Sequence, residues 1–292
     1  MWALIIGAGS IGTRHAAILE GMGIGVHFVS RRKDLNNVVS SSIDGVLNLS
    51  IYDYFLICNE SALHYDSLLK IIRNVYNKKV LIENPLFIDR LTLDVGSNKC
   101  YIGYNLRFHP VIKNAMMAIE KEKILNIDVR CNTYLPDWNP GRDYTKTYSA
   151  ITNLGGGILK DVTHEIDLLY FITKQTALNE KKFIYEKISK LKIETNDYYR
   201  AIGKLGTVQF TMSLDYITRI STREIFISTD KKTLKLCLIS STLQISSDGE
   251  KLTKNYKVDR NDTYKEMHEN ILFNEGGSSS TFNDGLRVLE WF

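Results

Sequence analysis

Residues 2–15, Trp-Ala-Leu-Ile-Ile-Gly-Ala-Gly-Ser-Ile-Gly-Thr-Arg-His, restrict this chain more than any other stretch. Trp2 to Ile6 are apolar without a break, the pattern of a strand buried on both faces. Gly7-x-Gly9-x-x-Gly12 follows at once, and Ala16, Ala17, Ile18 and Leu19 then open a helical pattern. A strand, a glycine turn and a helix in that order predict a dinucleotide-binding βαβ unit. Gly7 suits a tight turn, Gly9 close approach of backbone to a pyrophosphate, and Gly12 close helix–strand packing. Ser10 and Ile11 open the helix, whose free N–H groups and positive dipole end favour phosphate.

The chain continues in strand–helix alternation. Gly25 to Val29 read as a second strand ending in Ser30-Arg31-Arg32, with no acidic residue where NAD-binding units place one for the ribose. Serine and arginines there suit a 2′-phosphate, so NADP is expected, with NAD the alternative. Further strands end in Asn59-Glu60, with His64 on the following helix, in Glu83-Asn84-Pro85, and ahead of Asn105-Leu106-Arg107. Parallel strands with right-handed crossovers place these ends at one edge of the sheet, where ligands bind. Asn59, Glu60, His64, Glu83 and Asn84 are therefore assigned to the cofactor site, and Asn105 and Arg107 to the substrate.

Beyond about residue 120 the pattern changes. Asn126–Leu135, Lys182–Ile193, Tyr198–Leu205, Thr207–Tyr216, Thr222–Ser228, Leu234–Ile239 and Thr242–Ser246 read as strands joined by short turns, an antiparallel meander. A helix is expected from about Ile158 to Ile172, and two more near Tyr264–Glu275 and Phe282–Phe292. The fold class is α/β: an N-terminal Rossmann doubly wound parallel sheet over residues 1–104, then a C-terminal α/β domain with a large, mostly antiparallel sheet over 105–292. One face of that sheet is expected to expose alternating apolar residues such as those of Val208 to Tyr216, implying a homodimer or homotetramer through it.

Composition excludes several classes. Lys and Arg number 37 against 33 Asp and Glu, and the surplus is dispersed, so nucleic-acid binding is not indicated. Cys58, Cys100, Cys131 and Cys237 lack zinc-like spacing, so no metal is expected. Three of them lie in apolar runs, which reads as buried thiols in a reducing compartment. Met1 to Ile11 lacks the basic flank of a signal peptide, and no apolar run approaches the ~20 residues of a membrane span. A cytoplasmic protein without membrane contact is expected.

Four motifs together resemble the Gfo/Idh/MocA family of NAD(P)-dependent oxidoreductases over almost the whole chain. They are Gly7-Ala8-Gly9-Ser10-Ile11-Gly12, Glu83-Asn84-Pro85, Gly103-Tyr104-Asn105-Leu106-Arg107-Phe108-His109-Pro110, and the run from Gly155-Gly156-Gly157 to Asp161-Val162-Thr163-His164-Glu165-Ile166-Asp167. The resemblance implies hydride transfer to or from a ring carbon of a sugar or nucleotide sugar, in surface-carbohydrate biosynthesis. It also implies two alternatives, a lyase or glycosidase that retains NAD and a non-catalytic binding homologue. On a helix Asp161, His164 and Asp167 share one side at three-residue spacing, so His164 is expected to have a raised pKa and to act as acid/base oriented by Asp161 or Asp167. Asn84 stands where the family has a lysine that assists proton transfer; an amide does not titrate and can only position. Residues 134–144 form a loop whose Trp138, Arg142 and Tyr144 suit a sugar.

Overall fold

The computed structural model describes residues 1–138 and 140–292; Asn139, within the aromatic loop, lies outside them. Contacts divide the chain into two compact units, Met1–Asn105 with Arg260–Phe292, and Leu106–Asp259.

In the first unit β1 (Trp2–Ile6) leads into α1 (Ser10–Gly21), followed by β2 (Gly25–Val29), β3 (Val38–Ser40), β4 (Tyr54–Ile57), α2 (His64–Ile72), β5 (Lys79–Ile82) and β6 (Lys99–Ile102). Both β2 and β4 pair with β1 in parallel, Ala3 lying opposite Val26 on one side and Tyr54 on the other. The strand order is β6-β5-β4-β1-β2-β3, so the direction of winding reverses between β4 and β1. A ligand crevice opens at such a reversal. Ala3, Leu4, Ile5 and Ile6 are buried, as a strand covered on both faces requires.

The second unit holds α3 (Pro110–Ala118), β7 (Ile124–Tyr134), α4 (Ile158–Asp161), α5 (Thr163–Thr173), β8 (Leu178–Glu186), β9 (Tyr198–Leu205), β10 (Val208–Asp215), β11 (Ile217–Thr229), β12 (Thr233–Cys237), β13 (Thr242–Ser247) and β14 (Glu250–Asn255). Its sheet runs β14-β13-β12-β11-β7-β10-β9-β8. The expected meander is antiparallel at every junction but one: β7 inserts between β10 and β11 and pairs in parallel with β10. The strand expected over Lys182–Ile193 ends at Glu186, because Asp197 then captures the Ile188 and Ser189 amides in a turn.

The chain then returns to the first unit with α6 (Arg260–Phe273), β15 (Ser280–Thr281) and α7 (Phe282–Leu289). This corrects the assignment of residues 105–292 to one domain. α6 packs on α1, and β15 pairs antiparallel with β6. Helical periodicity shows that a segment has an apolar face, not which sheet will bury it.

The expected apolar open face is also corrected. Val208, Phe210, Met212, Leu214 and Tyr216 are all buried, together with Ile127 and Val129 of β7. The alternate positions are polar: Gln209 and Thr211 are exposed, and Asp128 pairs with Arg130. Alternation along β10 thus marks an ordinary half-buried strand.

Candidate cofactor cleft and acid–base cluster

The glycine turn is built as its residues dictate. Gly7 adopts φ +97°, and a Cβ there would lie 2.6 Å from the Asn59 amide nitrogen. At Gly12 a Cβ would lie 2.1 Å from the Gly7 carbonyl oxygen, so the first turn of α1 packs on the loop only without a side chain. Around Gly9 nothing stands within 4 Å of the Cβ position, leaving the loop open to a ligand. No side chain caps α1, and no acidic residue occupies its first turn. Uncapped N–H groups and open space fit a pyrophosphate.

A cleft of about 960 Å³ opens along this turn. Gly7 and Gly9 line it with Ser30, Arg31, Arg32, Asn59 and Glu60, all assigned from sequence. Ser41, Ser42, Ile43, Asp66, Ser67 and Lys70 line it too and were not foreseen. β3 is only three residues long, too short to register as a strand. Asp66, Ser67 and Lys70 share one side of α2 at helical spacing, a signal that the sequence did carry.

Arg32 is committed within this loop. Its Nη1 donates to the Ala8 carbonyl at 2.9 Å, and its Nε and Nη2 donate to Asp34 at 3.0 and 2.5 Å. Arg31 lines the cleft and remains exposed.

Of the residues assigned to the cofactor, Ser10, Ile11 and Gly12 of the first turn of α1, and His64, Glu83 and Asn84, do not line the cleft. His64 is buried, with Nδ1 3.0 Å from the Pro85 carbonyl and Nε2 3.2 Å from that of Asn59, and burial lowers its pKa. Glu83 accepts from His15, and Asn84 Nδ2 donates to the Gly103 carbonyl at 3.2 Å. Asn105 donates to Thr263 Oγ1 at 2.7 Å, tying the end of β6 to α6.

In the second unit the expected single helix breaks. Val162, at φ −115° and ψ 41°, separates α4 from α5, so Asp161 and His164 do not share one helix face. The three carboxylates near His164 have other partners. Tyr216 Oη donates to Asp161 Oδ2, Arg223 binds Glu165 at 2.6 and 3.1 Å, and Arg107 grips Asp167 at 2.8 and 2.5 Å. Arg107, assigned to substrate, is thus buried in an ion pair beneath α5, with its guanidinium also over the Phe171 ring.

The raised pKa expected of His164 is overturned. Burial and then the Arg223 charge push it down to about 3. Asp161 moves the other way: burial pushes it up to about 7, against the pull of the Ser149, Tyr216 and Tyr148 hydroxyls. Asp161 Oδ1 is buried without a hydrogen-bond partner. The titrating group near neutral pH is therefore the carboxyl, not the imidazole. Trp138 packs edge-on against Tyr216 and donates Nε1–H to Thr133 Oγ1 at 2.7 Å. Tyr144 Oη accepts from the Lys192 amide at 3.3 Å, and Arg142 is exposed. Among the described residues no group of three or more His, Cys, Asp or Glu is placed to hold a metal, and no helix is long and apolar enough to cross a membrane.

These buried imidazoles set a pH dependence for stability. His109 caps α3 through Nδ1, which accepts the Val111 amide, and burial and then Arg223 push its pKa down to about 4. His109 and His164 bind protons near 6.5 when unfolded but only near 4 and 3 when folded. Unfolding therefore takes up protons below pH 6.5. The stability these two groups contribute is complete above that pH and is lost as pH falls towards 3, at up to roughly 1.4 kcal/mol per pH unit per group. Asp161, with its pKa raised to about 7, contributes in the opposite direction over the same range, so the comparison between variants carries the test. From pH 7.5 to 5.0 the denaturant midpoint of His109→Gln should drop less than that of wild type, and equal changes in the two proteins would disprove the His109 contribution.

The sequence matches no known family profile and no curated protein. Solved structures do match it along its whole length. UDP-N-acetylglucosamine 3-dehydrogenase GnnA from Acidithiobacillus ferrooxidans is 16% identical with a TM-score of 0.77, covering 100% of this chain and 95% of its own. Levoglucosan dehydrogenase in complex with NADH is 14% identical with a TM-score of 0.83, covering 99% and 94%. The super-repressor mutant of Gal80p from Saccharomyces cerevisiae is 15% identical with a TM-score of 0.80, covering 100% and 93%. Such neighbours are Gfo/Idh/MocA-type proteins, and this chain has their fold.

Proposed function

We propose that this protein is an oxidoreductase that uses a nicotinamide dinucleotide on a sugar or nucleotide-sugar hydroxyl. The observation that carries the reading is the cleft at the winding reversal of the first sheet, opened by Gly9 and lined by Ser30, Arg31 and Asn59. Two neighbours named as sugar dehydrogenases, one with NADH bound, support the chemical class. A homo-oligomer and a role in surface carbohydrate fit the reading without following from the geometry.

The dinucleotide, when bound, supplies a two-electron acceptor or donor at its nicotinamide. Gly7, Gly9, Ser10 and Ile11 would hold its pyrophosphate, and Ser30 and Arg31 its adenosine end. Asp161 would accept the substrate hydroxyl proton on its Oδ1, while Tyr216 holds Oδ2 and fixes the carboxylate plane. A base with a pKa near 7 is matched to neutral operation; an imidazole near 3 is not. His164 would orient the hydroxyl. Asn84 would position and cannot move a proton.

Titration with NADPH and NADH, followed by turnover across a panel of nucleotide sugars, tests the reading. Binding without turnover of any sugar would favour a non-catalytic homologue, and retention of NAD without net redox change a lyase. With Arg32 held by Asp34 and Ala8, Arg31 is the cation expected to meet a 2′-phosphate. NADPH should bind about tenfold more tightly than NADH, and Arg31→Asp should abolish that preference. A wild-type preference for NADH would overturn the NADP assignment and leave the oxidoreductase reading standing.

A further inference from the structure

Behind the strand end that carries Glu83 runs a buried hydrogen-bonded chain with no part in the reading above. Tyr54 Oη lies 3.1 Å from His268 Nδ1, and His268 Nε2 lies 2.8 Å from His15 Nδ1. His15 Nε2 in turn lies 2.8 Å from Glu83 Oε1. Tyr54, His268 and His15 are fully buried, and Glu83 is 9% exposed.

The two ends of this chain fix every proton in it. A carboxylate only accepts, so His15 Nε2–H donates to Glu83. The Tyr54 hydroxyl meets only His268 among the described residues, so its proton goes to His268 Nδ1. His268 Nε2 then carries a proton and donates it to His15 Nδ1. Three donors meet three acceptors, and both imidazoles are neutral. Protonating His15 would make its Nδ1 a donor, reverse His268, and leave the Tyr54 hydroxyl proton in the core without an acceptor. The cluster thus carries one net negative charge, and it resides on Glu83. The neighbouring side chain, Asn84, leans on Glu83 Oε2 at 3.4 Å and brings no charge to offset it.

Glu83 directly follows β5, two strands from β1 on the far side of the winding reversal. Ser30 and Arg31, on the opposite side, follow β2. A dinucleotide laid across a doubly wound sheet has its adenosine half over β1 and β2 and its nicotinamide half over β4 and β5. We propose that the Glu83 carboxylate, held anionic by Tyr54, His268 and His15 and not offset at Asn84, makes this protein bind oxidised nicotinamide more tightly than reduced. The oxidised ring is a cation and the reduced ring is neutral, so a fixed anion discriminates between them directly. Tighter binding of the oxidised form lowers the potential of the bound couple. On the protein, equilibrium then shifts towards reduction of a carbonyl.

The inference rests on the dinucleotide reading, and affinities rather than turnover test it. The full chain is titrated with NAD⁺ and with NADH by calorimetry, and the ratio Kd(NADH)/Kd(NAD⁺) is compared between variants. Wild type should give a ratio above one. Glu83→Gln and Asn84→Lys should each lower it about tenfold through NAD⁺, a rise of about 30 mV in the bound couple. Asn84→Lys leaves the buried chain untouched, so it reads charge even where Glu83→Gln fails to fold. An unchanged ratio in Asn84→Lys, with both ligands still binding, would overturn the inference alone. Failure of wild type to bind any of NAD⁺, NADH, NADP⁺ and NADPH would overturn the cofactor reading as well.

Discussion

Asp161→Asn is expected to lower turnover by about 10²–10⁴-fold, the range for a positioned proton-transfer group, while dinucleotide affinity is unchanged. The pH profile gives the sharper test. With its pKa pushed up to about 7 by burial, Asp161 becomes a competent base only as pH rises through neutrality. Hydroxyl oxidation should therefore climb with an inflection near pH 7, and Asp161→Asn should abolish that inflection along with the rate. The variant should remain folded. A carboxyl whose folded pKa is raised from 3.8 to about 7 stabilises the fold fully below 3.8, and that contribution is lost as pH rises towards 7. A neutral amide removes this burden, so Asp161→Asn at pH 8 should be at least as stable as wild type. His164→Ala should slow turnover less and leave the inflection in place. If instead the inflection vanishes in His164→Ala and survives in Asp161→Asn, the imidazole is the base after all.

Arg107→Met is expected to have the largest effect on stability, about 3–5 kcal/mol, seen as a Tm lower by roughly 10 °C. The guanidinium and Asp167 are both buried and joined by two hydrogen bonds, so removing the cation leaves a carboxylate without its counter-charge in the core of the second unit. The Phe171 contact at 4.7 Å is reduced as well. Arg107→Met combined with Asp167→Leu should recover most of the loss, because replacing both members of a buried pair by apolar groups is close to neutral. A normal Tm with a raised KM in the single variant would return Arg107 to the substrate-binding role that its motif suggested.

The glycine turn of the first unit was legible because local chemistry and tertiary role coincide there. A tight turn at Gly7, an open loop at Gly9 and a contact at Gly12 too close for a side chain are demands of a few neighbouring residues, and glycine answers each one. The half-buried strands of the second unit were legible for the same reason, since alternation along β10 follows from its own geometry.

Only tertiary structure decided the rest, because partners distant in sequence made those choices. β10 and β7 bring Tyr216 to Asp161, Arg223 of β11 claims Glu165, and Arg107 claims Asp167, so three carboxylates that look available on paper are each taken. Burial then reverses the order of basicity, lowering His164 and raising Asp161, and desolvation depends on everything that packs around a group. The return of α6 to the first unit carries His268 to His15, 253 residues away, and so fixes the charge at Glu83. Sequence determined which backbone shapes were possible and which residue types stood at the strand ends. Their charge and availability were settled by long-range packing, since the free energy of an ionisable group belongs to its surroundings.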